Sequence, residues 1–356
     1  MKENIRGRFR EAQNSLVIQA SDLSLGSITE MVDAGAIDLD PHYQRRLRWG
    51  SDKQSRLIES FLLNVPVPPL YFAEEDFGRY SVIDGKQRVT AVHEFMVGNL
   101  VLKGLDSFGE INGLRFSDLP SDLQNALRVR PYLRVVTLLR QSNQNLKYEV
   151  FLRLNTGGDR LLPQEIRNVA FSGPFNDLLI HLAEHPFLRH KLKIIGQKSP
   201  AYQSMDDVEH VLRFLTTYFH WHEMGGSLSR AMDSFMQTCR NATPAECDEF
   251  ACLFNSSIDA CSKIWGEHAF ERPADAKWRN QMISPLYDAQ MVALAGLDAS
   301  SKARAVLRRN DVIQATRELF DRDEEFVKSV SRATNNAASI HKRITSFIEL
   351  FKIVLA

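Results

Sequence analysis

The segment Asp84-Gly85-Lys86-Gln87-Arg88 puts a carboxylate, a glycine, an amide and two cations side by side. A strand pattern at Tyr80–Ile83 runs into it, and a helix pattern through Val89, Val92, His93 and Met96 begins at once. Such a junction suits phosphate chemistry. Gly85 has no side chain to block the approach of an anion. The first turn of the helix presents backbone amides and the positive end of its dipole. Lys86 and Arg88 add formal charge, and an arginine can fork onto two phosphate oxygens. Asp84 is a candidate to hold a magnesium ion or a water beside those phosphates. The pattern is not a Walker A loop, because Tyr80 stands at the first glycine position and Gln87 replaces Ser or Thr. The plain alternative is an Asp-Gly turn followed by an exposed helical turn.

Two further segments accompany this one: Tyr43-Gln44-Arg45 with Trp49 close behind, and Asn155-Thr156-Gly157-Gly158 continuing to Gln164–Asn168. The elements that must position them read as follows. Leu16–Ala20 is a strand pattern, Leu25–Ala34 a helix stopped by Gly35, and Ile37–Asp40 a short strand before the polar stretch His42–Gly50. Ser51 is an N-cap for a helix over Asp52–Asn64, which Val65–Pro69 cannot continue because proline lacks the amide donor. Leu70–Ala73 and Tyr80–Ile83 form a hairpin. Asn112-Gly113 predicts a tight turn between Phe108–Ile111 and Leu114–Phe116, and Tyr132–Leu139 is a β-branched strand. From Leu146 the pattern turns helical, with Pro163 as a helix-starting proline. Beyond residue 175 it predicts helices near 205–223, 228–240, 245–267, 278–296, 301–320 and 323–352, and no strand. The fold class is therefore α+β, a mixed α/β N-terminal domain followed by an all-helical C-terminal domain. The expected divisions are a flexible 1–15, a domain over 16–175 and a helical domain over 176–356.

Of the 356 residues, 44% are hydrophobic and 25% charged, an ordinary globular balance. Lys plus Arg and Asp plus Glu both number 44, which argues against coating nucleic acid by bulk charge but permits a local basic groove. The four cysteines form no C-x-x-C pair, so a zinc cluster is not expected, and they read as thiols of a reducing cytoplasm. No apolar run approaches the span of a bilayer, and no membrane partner is expected.

The motif order Y-Q-R, a helix ending in P-x-P-P, D-G-K-Q-R-x-T-A, L-N-T-G-G-x-x-L and Q-E-I-R-N resembles the N-terminal domain family of GmrSD-type restriction proteins over about residues 16–172. That family is known by a D-G-Q-Q-R signature and has a ParB-like fold; Lys86 departs from it, keeping polarity and adding charge. The resemblance implies nucleotide binding, often hydrolysis, coupled to anti-phage defence. Carried over, Asp84, Gly85, Gln87 and Arg88 are the signature, with Arg88 on phosphate, Asp84 on metal or water, and Gln87 orienting the nucleophile. Lys86 and Thr90 join the phosphate-binding set. Gln44 and Arg45 would approach from the preceding loop. Asn155, Thr156, Gly157 and Gly158 would form the opposing loop, with Glu165, Arg167 and Asn168 on the helix behind it. The cofactor implied is Mg2+ with a nucleoside triphosphate of unspecified base.

Members of the family commonly add an HNH nuclease domain. Here the nearest fragment, His268–Pro273, has no supporting motif. The expected function is thus an NTP-binding, NTP-hydrolysing regulatory or sensor subunit of a bacterial restriction system. It would act on DNA or with a nuclease encoded nearby, with a homo-oligomer compatible. The alternatives are a non-enzymatic, antitoxin-like or DNA-binding switch and, third, a stand-alone DNA nickase.

Other chemistry-bearing patterns have simpler readings. His181-Leu182-Ala183-Glu184-His185 matches a metalloprotease pattern, but Pro186 makes it a helix end. His220-Trp221-His222 puts its rings on different faces and reads as an aromatic patch. Arg45, Arg46 and Arg48, with Arg128, Arg130 and Arg134, are candidates to line a DNA groove. The last helix carries an apolar stripe from Ile340 to Leu355, explained first by core packing.

Overall fold

A computed structural model describes residues 5–7, 9, 16–39, 49–142, 150, 153, 162–274 and 277–356. The chain divides into two compact units, Met1–Ala170 and Phe171–Ala356.

The N-terminal unit is built on a five-stranded mixed sheet. In chain order its strands are β1 (Ile18–Ser24), β2 (Ile37–Asp38), β3 (Leu70–Asp76), β4 (Arg79–Asp84) and β5 (Tyr132–Leu138), and in space they run β1-β5-β3-β4-β2. β3 and β4 form the antiparallel hairpin that the sequence predicts, turning at Gly78 with φ +72°. The helices are α1 (Leu25–Asp33), α2 (Ser51–Leu62), α3 (Lys86–Met96), α4 (Ser121–Val129) and α5 (Pro163–Ala170). Side chains alternate along the strands, so each strand serves two cores. Phe72, Val82 and Val135 face one side, where α1 to α4 pack through Ile28, Ile58, Val92, Phe95 and Leu127. Ala73, Ile83 and Leu138 face the other, where α5 packs through Ile166 and Val169.

Two sequence expectations change here. Asn112-Gly113 does not join two strands; short 3-10 turns at Gly109–Ile111 and Phe116–Asp118 flank it instead. The Asn112 carboxamide is occupied locally, its Oδ1 accepting from the Leu105 amide at 3.1 Å, which closes a compact loop rather than a ladder. Gly50, not Ser51, is the N-cap of α2.

The C-terminal unit is largely helical: α6 (Pro174–Leu182), α7 (Pro186–Lys191), α8 (Pro200–Gln203), α9 (Asp206–His220), α10 (Leu228–Cys239), α11 (Pro244–Trp265), α12 (Ser284–Ala295), α13 (Ala299–Leu307), α14 (Arg309–Arg322), α15 (Glu324–Ser331) and α16 (Ala337–Leu355). α11 starts at a capping box in which Thr243 and Glu246 satisfy each other's amides, with Pro244 in the first turn. α12 is buried on every side from Pro285 to Ala295, so it has no amphipathic stripe and forms the centre of the unit. The unit also contains an antiparallel hairpin, β6 (Glu271–Ala274) and β7 (Lys277–Met282), where the sequence predicts no strand. Its strands are short and dominated by charged and amide side chains, so they lack the alternation that marks a strand. No helix among the described residues is long and apolar enough to cross a membrane.

Candidate functional site

The β4–α3 junction is set by packing on both sides. Val82 and Ile83 hold the end of β4 in the two cores, and Val89, Val92 and Phe95 anchor α3, all three fully buried. Between them Gly85 adopts φ +98°, a left-handed conformation, and caps α3 without any side-chain hydrogen bond. A Cβ at this position would lie 2.3 Å from Leu70 Cδ2. Glycine is therefore required twice over, for its backbone and for its lack of bulk.

Arg88 braces the junction. Its guanidinium donates to the Pro68 carbonyl, to the Pro69 carbonyl at 3.1 Å, and to Asp84 Oδ2 at 3.0 Å. The proline-rich stretch that ends α2 thus supplies acceptors to the residue four positions beyond Asp84. Arg88 keeps only 12% of its side chain exposed, while Asp84 keeps 48%. Arg88 takes Oδ2 of Asp84, and the carboxylate stays half exposed.

Gln87 points inward. It is buried, and its Oε1 accepts from the Trp49 amide at 2.9 Å. Gln87 thereby fixes Trp49 to the first turn of α3. Gln44 and Arg45 themselves lie outside the described residues, as do Asn155, Thr156, Gly157 and Gly158. Lys86 and Thr90 are partly exposed on the same turn of α3.

The Gln164–Asn168 motif occupies α5 and is almost wholly buried. Glu165 Oε2 accepts from the Leu162 amide at 2.7 Å, the return half of a capping box, so this carboxylate holds the start of α5. Gln164 bridges its neighbours, donating to Asn168 Oδ1 at 2.8 Å and accepting from Arg167 at 3.3 Å. Ile166 on the same helix packs with Ile83 and Tyr71, the neighbour and the register partner of Asp84. The motif therefore supports the end of β4 from behind.

Residues 28–172 match the family model described as GmrSD restriction endonuclease, N-terminal domain. The N-terminal unit carries a GmrSD N-terminal domain. No curated protein and no solved structure matches the chain. Within the GmrSD domain, the structure brings Asp84, Gly85, Lys86, Gln87 and Arg88 into one turn with Trp49, Pro68, Pro69 and Leu70. Sequence reasoning missed the last three as parts of the site. Their signal was the P-x-P-P stretch, which reads first as a helix breaker and only in three dimensions as a rack of carbonyls.

The other candidates have partners of their own. His185 Nδ1 accepts from the Phe187 amide at 3.3 Å, capping α7. No group of three or more His, Cys, Asp or Glu side chains gathers as a metal site among the described residues. Arg134 forks onto Asp22 at 2.8 and 2.9 Å, and this hydrogen bonding holds the Asp22 carboxyl below its ordinary value. Arg128 lies over the Phe116 ring at 5.2 Å.

Proposed function

We propose that this chain is a nucleotide-binding, NTP-hydrolysing regulatory or sensor component of a bacterial restriction or anti-phage system. It acts on DNA or together with a separate nuclease. The family match over residues 28–172 supports the restriction setting. The observation that carries nucleotide binding is the left-handed Gly85, which opens the first turn of α3 beside a half-exposed carboxylate.

In this reading the α3 amides and Lys86 receive the phosphates, because helix dipole and ammonium both favour an anion there. Arg88 acts chiefly as a positioning residue, since three acceptors already hold it. The half-exposed Asp84 carboxylate is the group that would hold a magnesium ion brought with the triphosphate. Bound magnesium would neutralise phosphate charge. Gln87 couples the phosphate turn to Trp49, whose amide it holds.

A second reading, nucleotide binding without turnover, is favoured by one observation. The Gln87 amide expected to orient the nucleophile accepts from Trp49 inside the fold. Phosphate release from ATP, GTP, CTP and UTP with magnesium separates the two. The hydrolytic reading expects release in the wild type and its loss in Asp84→Asn, with binding retained. The switch reading expects binding with no release in either protein.

A further inference from the structure

A cavity of about 640 Å3 lies in the C-terminal unit between the end of α7 and the β6–β7 hairpin, lined among others by Lys191, Lys193, Ile195, His268, Glu271 and Trp278. That volume falls within the range of sites that take a small ligand. Its floor contains a buried ion pair. Lys191 is buried, and its Nζ donates to Glu271 Oε1 at 2.6 Å and to the Glu267 carbonyl at 2.6 Å. Glu271 is equally buried; its Oε1 pairs with Lys191, and its Oε2 lies 3.7 Å from His268 Nδ1.

The walls carry an exposed carboxylate, Glu267, paired with His190 at 2.8 Å, and beside it an aromatic pair and a lysine. His268 stacks on Trp278 with ring centroids 5.1 Å apart and planes 9° from parallel, and Arg317 lies over the Trp278 ring at 4.8 Å. His268, whose side chain is 47% exposed, offers a planar surface to a ligand. Lys193 stands on the same cavity with its ammonium held by the Asn280 carbonyl at 2.8 Å, an exposed contact. Ile195 at the lip is 98% exposed, an apolar side chain with nothing of its own unit to cover it.

We propose that this cavity binds a nucleoside monophosphate unit, free or as one residue of a single strand. A base would extend the Trp278–His268 stack, because every base has a π-face and stacking on aromatic side chains is sequence-tolerant. Ile195 would cover the sugar and base edge, and the Lys193 ammonium would meet the phosphate. The site is separate from the β4–α3 junction and its ligand needs no triphosphate.

The test is binding to the full chain, without magnesium, of AMP, GMP, CMP and UMP and of single-stranded DNA and RNA 12-mers, followed by calorimetry. The proteins compared are wild type, His268→Ala, His268→Phe, Lys193→Ala and Asp84→Asn. The expected result is binding that weakens about 10-fold in His268→Ala, is retained in His268→Phe, and weakens in Lys193→Ala with a shallower salt dependence. Asp84→Asn should bind as the wild type does, which keeps this site distinct from the proposed triphosphate site. Binding of the oligomers alone identifies a strand as the source, and equal binding of monomer and oligomer per nucleotide identifies the free nucleotide. Absence of binding by every probe to folded wild type overturns the proposal. So does binding that His268→Ala leaves unchanged.

Discussion

Charge is handled in opposite ways by the two units. At the β4–α3 junction, the mostly buried Arg88 guanidinium pairs with the half-exposed Asp84 carboxylate. In the C-terminal unit, Asp288 sits on the central helix α12 with no exposure. Arg213 from α9 forks onto it at 2.6 and 2.7 Å, and Arg343 from α16 reaches it at 2.5 Å. Arg213 and Arg343 also hold Asn335 and the Thr334 carbonyl, tying the segment before α16 to the core. The first arrangement leaves a carboxylate half exposed beside a helix start. The second is closed and can only organise helices. What separates a site from a staple here is exposure, since the residue types are the same.

The largest effect that can break this comparison is at the closed cluster. Asp288→Asn leaves two buried guanidiniums facing a neutral amide and should destabilise the C-terminal unit by about 3–5 kcal/mol. A denaturant midpoint that hardly moves would show the cluster to be open to solvent. Gly85→Ala is next. Strain at φ +98° and the approach to Leu70 should cost about 3 kcal/mol by thermal unfolding and remove any nucleotide response. Gln87→Met strips the Trp49 amide of its acceptor and should cost about 2 kcal/mol, as expected for a half-buried donor left unpaired.

Acid sharpens the contrast further. Burial, only partly opposed by the hydrogen bond to the Asp206 carbonyl, holds the pKa of His210 below its ordinary 6.5. The unfolded chain therefore binds a proton that the folded chain refuses. Stability is fully present above pH 6.5 and should fall as the pH drops below it, by at most about 1.4 kcal/mol per pH unit, and His210→Asn should flatten that slope. Asp288 contributes lower down. Burial raises its carboxyl, but the two arginines outweigh burial and hold it below the ordinary value, so its support fails only as the pH falls under the usual carboxylate range. Lys86→Ala, the smallest change, should alter stability by less than about 0.5 kcal/mol.

Much of the N-terminal unit was legible because its signals are local. The α3 pattern, the β3–β4 hairpin and the strand at Tyr132 follow from periodicity and turn residues, and the D-G-K-Q-R segment named its own junction. What was not legible depends on distant partners. Nothing in the spacing says that Arg88 turns back to Pro68 and Pro69, twenty and nineteen residues earlier. Nor does it say that Gln87 reaches to Trp49. The buried ion cluster was missed for the same reason, since Arg213, Asp288 and Arg343 are brought together from three separate helices. The β6–β7 hairpin escaped because its polar strands carry no alternation. Glu165 shows the reverse case: it reads as a ligand in the motif, and its carboxylate caps a helix.

The central claim, that the β4–α3 junction receives phosphate, is tested most directly by thermal unfolding of wild type and Lys86→Ala with ATP, GTP, CTP or UTP and magnesium. A ligand that binds only the folded state must raise its stability. The account predicts that a triphosphate raises the midpoint of the wild type and has a much weaker effect on Lys86→Ala, while the two proteins unfold alike without ligand. An equal rise in both proteins, or no rise with any of the four nucleotides, would contradict it.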